Sequence, residues 1–181
     1  VGTLSSYWEA NMELVDIVPE FNLYEEYWRI FTKSDFIPPQ YLGEHAKIEA
    51  SLIGEGCEIY GEVHHSVIGA GVVIEEGAVV RDSIIMRESV IGAGAKVTKA
   101  ILAEQVVVGK NSELGVGEFR ESSYDRRVYN SELVTVGEKT VIPDNVSIGK
   151  NTAIWGDTVT ADYPDGKLES GGAIIKAGGL R

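Results

Sequence analysis

The chain is poor in the residues from which small scaffolds and reactive sites are usually built. Among 181 residues there are one cysteine, three histidines, five prolines and two methionines. A single cysteine, Cys57, excludes an internal disulfide framework and fits a reducing, cytoplasmic setting. Positive charge is also scarce: 16 Lys and Arg stand against 28 Asp and Glu, a net charge of −12. That balance repels nucleic-acid phosphates and anionic lipid headgroups, so neither nucleic acid nor a membrane surface is expected as a partner. No apolar run approaches the ~18 residues of a spanning helix, and no basic-then-apolar leader follows Val1.

Catalytic patterns are missing as well. No P-loop occurs. Gly69-Ala70-Gly71 and Gly92-Ala93-Gly94 open like a dinucleotide fingerprint, but the third glycine position holds Ile74 and Val97. His64 and His65 are adjacent, so on a strand they point to opposite faces and do not converge on one ion with His45. No metal site is expected. No pair of carboxylates has a spacing that demands acid and base roles, and no catalytic residue is assigned.

What the chain does have is a repeat. SLIGEGCEIYGEVHH, SVIGAGVVIEEGAVVRD, SIIMRESVIGAGAKVTK and AILAEQVVVGKNSELG start at Ser51, Ser66, Ser83 and Ala100, in steps of 15, 17 and 17. Within them aliphatics recur every six residues, as in Ile68, Ile74 and Val80, then Ile85, Ile91 and Val97. A period of six fits neither a helix nor a plain strand. It fits a short strand plus a turn, three times per coil, closing a triangular prism with each aliphatic aimed at the axis. Small residues four positions later (Cys57, Val72, Ala78, Ser89, Ala95) suit the corners. Gly54, Gly69, Gly92 and Gly109 are expected to give backbone freedom and close approach there. Steps of 17 rather than 18 mean that one corner per coil is a residue short. The fold class is therefore all-β, a left-handed parallel β-helix of hexapeptide type, preceded by a short amphipathic helix and a linker.

Residues 1–45 read as that helix and linker, and 46–181 as the prism. Ser6 and Glu9 fit a capping box for a helix from about Tyr7 to Val15, with Trp8, Met12 and Val15 on one face. Trp8 is expected to pack on the prism or on a domain outside this chain, and the helix has no evident partner in the sequence itself. Phe21 to Phe31 is rich in aromatics, Trp28 to Thr32 suits one extended strand, and Pro38-Pro39 breaks any regular element. Ala46 to Ala50 leads into the first coil. Gly117 to Ser131 abandons the rhythm, as a loop thrown out from the prism; its Arg126-Arg127 pair is weak support for an anion site. The rhythm returns at Val136, Ile142, Ile148 and Ile154. Asp162 to Gly172 is a turn-rich departure, and Ala173 to Lys176 a last short strand.

Several segments then resemble one family. SYWEANMEL (Ser6–Leu14), FNLYEEYWRIFT (Phe21–Thr32), PPQY (Pro38–Tyr41), SLIGEGCEIYGEVHHSV (Ser51–Val67) and YNSELVTVGEKTVIPDNVSIGKNT (Tyr129–Thr152) are similar to the carboxyl-terminal part of bacterial glucose-1-phosphate adenylyltransferase. The resemblance implies a parent enzyme that joins ATP and glucose 1-phosphate into ADP-glucose and pyrophosphate for glycogen synthesis, with Mg²⁺. It places the catalytic motifs in an amino-terminal domain that this sequence lacks; only Val1-Gly2-Thr3 remains of a metal-binding motif. No cofactor is expected in this fragment. The resemblance further implies a non-catalytic regulatory and assembly region that contacts its own catalytic domain, builds a homotetramer and takes a sugar-phosphate or nucleotide effector. Lys176 and Arg181 lie roughly where some members hold effectors. Two other readings stand beside this one: a stand-alone hexapeptide acyltransferase using His64 or His65 as base, and an idle subunit relative of the same synthase.

Overall fold

The computed structural model describes residues 2–16, 23, 26–27 and 36–176. Among these residues, short strands wind into three parallel sheets of six, seven and seven strands. Sheet A runs from Tyr41–Leu42 through Glu58–Ile59, Val73–Ile74, Val90–Ile91 and Val107–Val108 to Val141–Ile142. Sheet B starts at Lys47–Glu49 and ends at Lys167–Leu168, and sheet C runs from Leu52–Ile53 to Ala173–Ile175. The first paired strand is thus Tyr41–Leu42, a few residues ahead of Ala46. The turn-rich stretch after Asp162 also contributes a strand, Lys167–Leu168, which pairs with Ser147–Gly149.

Register explains the six-residue period. Ile59, Ile74, Ile91, Val108 and Ile142 stack down sheet A, while Val63, Val80, Val97, Leu114 and Ile148 stack down sheet B. Ile68, Ile85, Leu102, Val136 and Ile154 do so in sheet C, and every one of these fifteen is at most 2% exposed. Burial of such columns drives the fold, and stacked coils pair the backbone groups that a single coil would leave open. Cys57, Val72, Ala78, Ser89 and Ala95 are fully buried at the corners, as their size requires.

The short corner lies between sheets B and C. Val63 to Ile68, Val80 to Ile85 and Val97 to Leu102 are five apart, and the turn is closed by His65, Asp82 and Lys99 in left-handed backbone conformation. A serine follows at Ser51, Ser66 and Ser83. The Ser66 hydroxyl donates to the His64 carbonyl and accepts from the Ser83 N–H of the next coil; Ser83 repeats this with Arg81 and Ala100. This ladder satisfies groups that the tight turn removes from the sheets.

The corner glycines divide their work. Gly71 and Gly94 carry the positive φ. Gly69, Gly92 and Gly109 do not, so the expected backbone freedom is absent there, and what they supply is contact: a Cβ on Gly109 would lie 2.4 Å from Asp144 N.

The helix, Leu4–Met12 with a 3₁₀ turn to Val15, starts earlier than Ser6 and Glu9 suggest. Thr3 is the cap. Its hydroxyl accepts from Ser6 N, and Ser6 Oγ accepts from Thr3 N, each at 3.1 Å. The reciprocal box needs only a side-chain acceptor three residues on, and a serine serves. Nor is the helix without a partner. Met12 is buried against Ile84, Ile101 and Leu133 on the outer face of sheet C, with Leu4, Tyr7, Trp8, Val67 and Met86 around them. The proposed strand at Trp28 to Thr32 lies outside the described residues.

Candidate functional site

Among the described residues, the B-to-C corner under the helix, the base of the 117–133 loop and the carboxyl-terminal end of the prism each gather chemistry-bearing side chains.

At the corner, the Trp8 indole N–H donates to the Asp82 carbonyl at 2.7 Å. The Asp82 carboxylate holds His65 Nδ1 at 2.8 Å, and His65 Nε2 faces Asp16, at the end of the helix, 3.7 Å away. His64 lies on the neighbouring strand between Glu49, 3.0 Å from Nδ1, and Glu62, 3.2 Å from Nε2. Glu62 also accepts from Lys47 Nζ at 2.8 Å, and the Lys47 and His64 bonds hold its carboxyl below the usual range. A general base must present a free ring nitrogen to substrate. Both nitrogens of His64 and His65 face carboxylates of the chain, which makes these imidazoles fasteners of the corner and the helix. Among the described residues no group of His, Cys, Asp and Glu is arranged to hold a metal ion.

The loop leaves sheet B after Val116 and rejoins the prism in sheet C at Val134. The Asn151 side chain donates to the Arg120 carbonyl, Ser123 N donates to the Gly171 carbonyl, and Glu132 accepts from both Lys99 (2.7 Å) and Lys150 (2.9 Å). The two ammonium groups draw the Glu132 carboxyl down to about 2. Arg126 pairs with Glu121 and Arg127 with Asp125 inside the loop, so the tandem arginines serve its shape.

At the carboxyl-terminal end, Lys176 forms an ion pair with Asp162, Nζ to Oδ2 2.5 Å. Asp162 Oδ2 also accepts from Val159 N at 2.6 Å. The Lys176 bond, then the Val159 N–H, lower the Asp162 pKa. Lys176 is about one-third exposed, so its ammonium faces solvent beside this carboxylate. Arg181 lies outside the described residues. Behind the pair the segment Gly156–Gly166 replaces the last strand of sheet A: Thr158 Oγ1 donates to the Val141 carbonyl and bonds the Tyr163 hydroxyl at 2.8 Å. Tyr163 is 2% exposed, and burial pushes its hydroxyl up to about 12.

Of the two seats expected for Trp8, the prism is the one it takes, and the sequence also marks which face. Sheet C strands are apolar on both faces, as in Val67-Ile68, Ile84-Ile85 and Ile101-Leu102, whereas sheet B strands alternate, as in Glu62-Val63 and Lys96-Val97.

A stacked prism of hexapeptide coils with a helix laid on one face defines a class, and the comparisons agree with it: the chain belongs to the GlmU-like C-terminal hexapeptide family, which matches residues 36–136. Within that class it matches the carboxyl-terminal region of glucose-1-phosphate adenylyltransferase. The Lachnospira eligens protein of that name is 65% identical over 178 residues, covering 98% of this chain and 42% of that protein. Those of Acetivibrio thermocellus and Thermotoga maritima are 42% and 47% identical, over 98% and 97% of this chain and 42% and 41% of theirs. The chain thus spans about two-fifths of the length of these relatives. The acetyltransferase domain of PglB from Neisseria gonorrhoeae superposes with a TM-score of 0.46 and 20% identity, covering 75% of this chain and 56% of that one, too distant to bear on function. No helix among the described residues is long and apolar enough to cross a membrane.

Proposed function

We propose that this chain is the assembly and regulatory region of a glucose-1-phosphate adenylyltransferase. ATP and glucose 1-phosphate are converted to ADP-glucose and pyrophosphate, with Mg²⁺, by the part of the protein outside it, in the cytoplasm. The observation that carries this reading is the match over 98% of the chain to 42% of a relative 65% identical to it. Two structural features support it. The helix is fixed on sheet C by Met12 and Trp8, so whatever precedes it is held at a set orientation to the prism. The Lys176–Asp162 pair offers a cation that an anionic effector, a sugar phosphate or nucleotide, can take over from its carboxylate. Arg181, five residues later in the sequence, is the second cation this reading assigns to the effector.

The test uses the full-length protein. Deleting this region should reduce a homotetramer to smaller species in light scattering. Lys176→Ala should raise the effector concentration for half-maximal response about tenfold, the loss of one charge-assisted contact. Unchanged assembly after deletion would overturn the assembly role, and an unchanged effector response in Lys176→Ala the effector role. Acetyl transfer from coenzyme A to an amino sugar, lost on replacing His64, would instead mark a hexapeptide acyltransferase. The carboxylates on both ring nitrogens argue against that outcome.

A further inference from the structure

One corner of the prism is cut away. Between sheets A and B, successive inward residues are six apart at Leu42 to Ile48, Ile74 to Val80 and Ile91 to Val97, but only four apart at Ile59 to Val63. Two residues that elsewhere form the projecting turn are missing. Tyr60 and Gly61 cut straight across, with Tyr60 N bonded to the Ile74 carbonyl and the Gly61 carbonyl accepting from Lys47 N. The Glu44-His45 turn below and the Glu76-Gly77 turn above therefore face each other across a gap.

Coils stack ~4.8 Å apart, so turns two coils apart are ~9.6 Å apart. Subtracting one van der Waals contact of ~3.5–4 Å leaves a slot ~6 Å high, enough for one saturated six-membered ring. The slot is a cavity of about 570 Å³. A smaller cavity of about 140 Å³ is lined by Gly43, Glu44, His45, Tyr60 and Glu76. Together they fall in the size range of small-molecule sites, ~300–1,000 Å³.

The lining selects a chemistry. The Tyr60 ring is braced against Tyr41, centroids 5.7 Å apart, and its hydroxyl donates to Glu58 at 2.9 Å, so the ring is a fixed apolar surface. Among the described residues the side chains of Glu44, His45 and Glu76 enter no hydrogen bond or ion pair, leaving two carboxylates and an imidazole to bond hydroxyl groups. The lining's ammonium, Lys47, is tied to Glu62 at 2.8 Å. A phosphorylated ligand would meet carboxylates with no cation to balance it. A simple amine would satisfy the carboxylates but leave the aromatic surface and most of the volume unused. We propose that this slot binds a neutral saccharide of one or two rings, its C–H face on Tyr60 and its hydroxyls on Glu44, Glu76 and His45. The site lies on the opposite side of sheet B's first coils from the helix corner, and it does not rest on the function proposed above.

The test is calorimetric titration of the chain with maltose, cellobiose and N-acetylglucosamine, and with inorganic phosphate and spermidine as charged probes. At least one neutral sugar should saturate, and Tyr60→Leu and Glu76→Gln should each weaken it about tenfold. Inserting Glu-Gly between Tyr60 and Gly61 restores the six-residue spacing with Gly61 in the small buried position. It should abolish binding while circular dichroism shows an intact prism. Three results overturn the proposal: no saturation by any of the three sugars, displacement of the sugar by phosphate or spermidine, or undiminished binding in the insertion variant.

Discussion

Trp8 reaches 74 residues along the chain to bond the main-chain carbonyl of Asp82, 2.7 Å away, at the corner where His65 and Asp16 also meet. One indole thereby joins the helix to one of the short turns between sheets B and C. Trp8→Phe keeps the apolar contact but strands that carbonyl, and should lower stability by about 1 kcal/mol. Trp8→Ala removes the packing too; because the ring is only half-buried, the cost should be about 2–3 kcal/mol, below a full core truncation. Urea midpoints of the two variants check this. Equal losses would mean that the hydrogen bond, not the ring, holds the helix.

The serine ladder gives a second test. Ser83 is fully buried, and its hydroxyl serves both the Arg81 carbonyl and the Ala100 N–H. Ser83→Ala leaves a buried donor without a partner and should cost about 1–3 kcal/mol. Ser51→Ala, at the half-open first coil, should cost less. Thermal unfolding of the pair reads the difference, and a reversed order would remove the ladder as a source of stability.

Glu132 predicts an acid dependence. Its pKa falls from 4.5 to about 2 in the folded chain, chiefly through its bonds to Lys99 and Lys150. A carboxylate depressed by folding stabilises above its unfolded pKa, and that contribution is lost as pH falls from about 4.5 toward 2. Glu132→Gln should therefore flatten this part of the stability curve, measured by denaturant midpoints between pH 5 and 2. The group is well exposed, so added salt should shrink the effect.

Tyr163 predicts the opposite limb. Its hydroxyl, raised from 10.0 to about 12 mainly by burial, stays protonated in the fold when an unfolded chain would already have lost the proton. Stability should hold below pH 10 and decline between about 10 and 12. Tyr163→Phe should remove part of that decline. It should cost only about 1 kcal/mol at neutral pH, because Thr158 keeps its bond to the Val141 carbonyl.

Much of this architecture is legible in the chain because inward residues of a prism obey a strict period. Ile74, Ile91 and Val108 stand 17 apart and stack in register. Positions set by contacts rather than period are harder to read. Ser6 and Glu9 spell a capping box, yet Thr3 is favoured because its own partner, Ser6, stands at the same spacing. The resemblance points to Lys176 as a cation, but its carboxylate, Asp162, lies across a coil that has no hexapeptide to align it. The slot at Tyr60 is written plainly as a step of 15 among steps of 17; only the stacked turns on either side show that a shorter step is an opening.

Among the described residues sheet A has one strand fewer than its companions, and Tyr163 and Thr158 occupy the place where the next would lie. A solenoid exposes unpaired backbone at each end and can in principle go on adding layers. Here Thr158 N and Oγ1 both donate to the Val141 carbonyl and the buried Tyr163 fills the place of a strand, so the end of sheet A is covered by a turn and a side chain instead of offering an open edge.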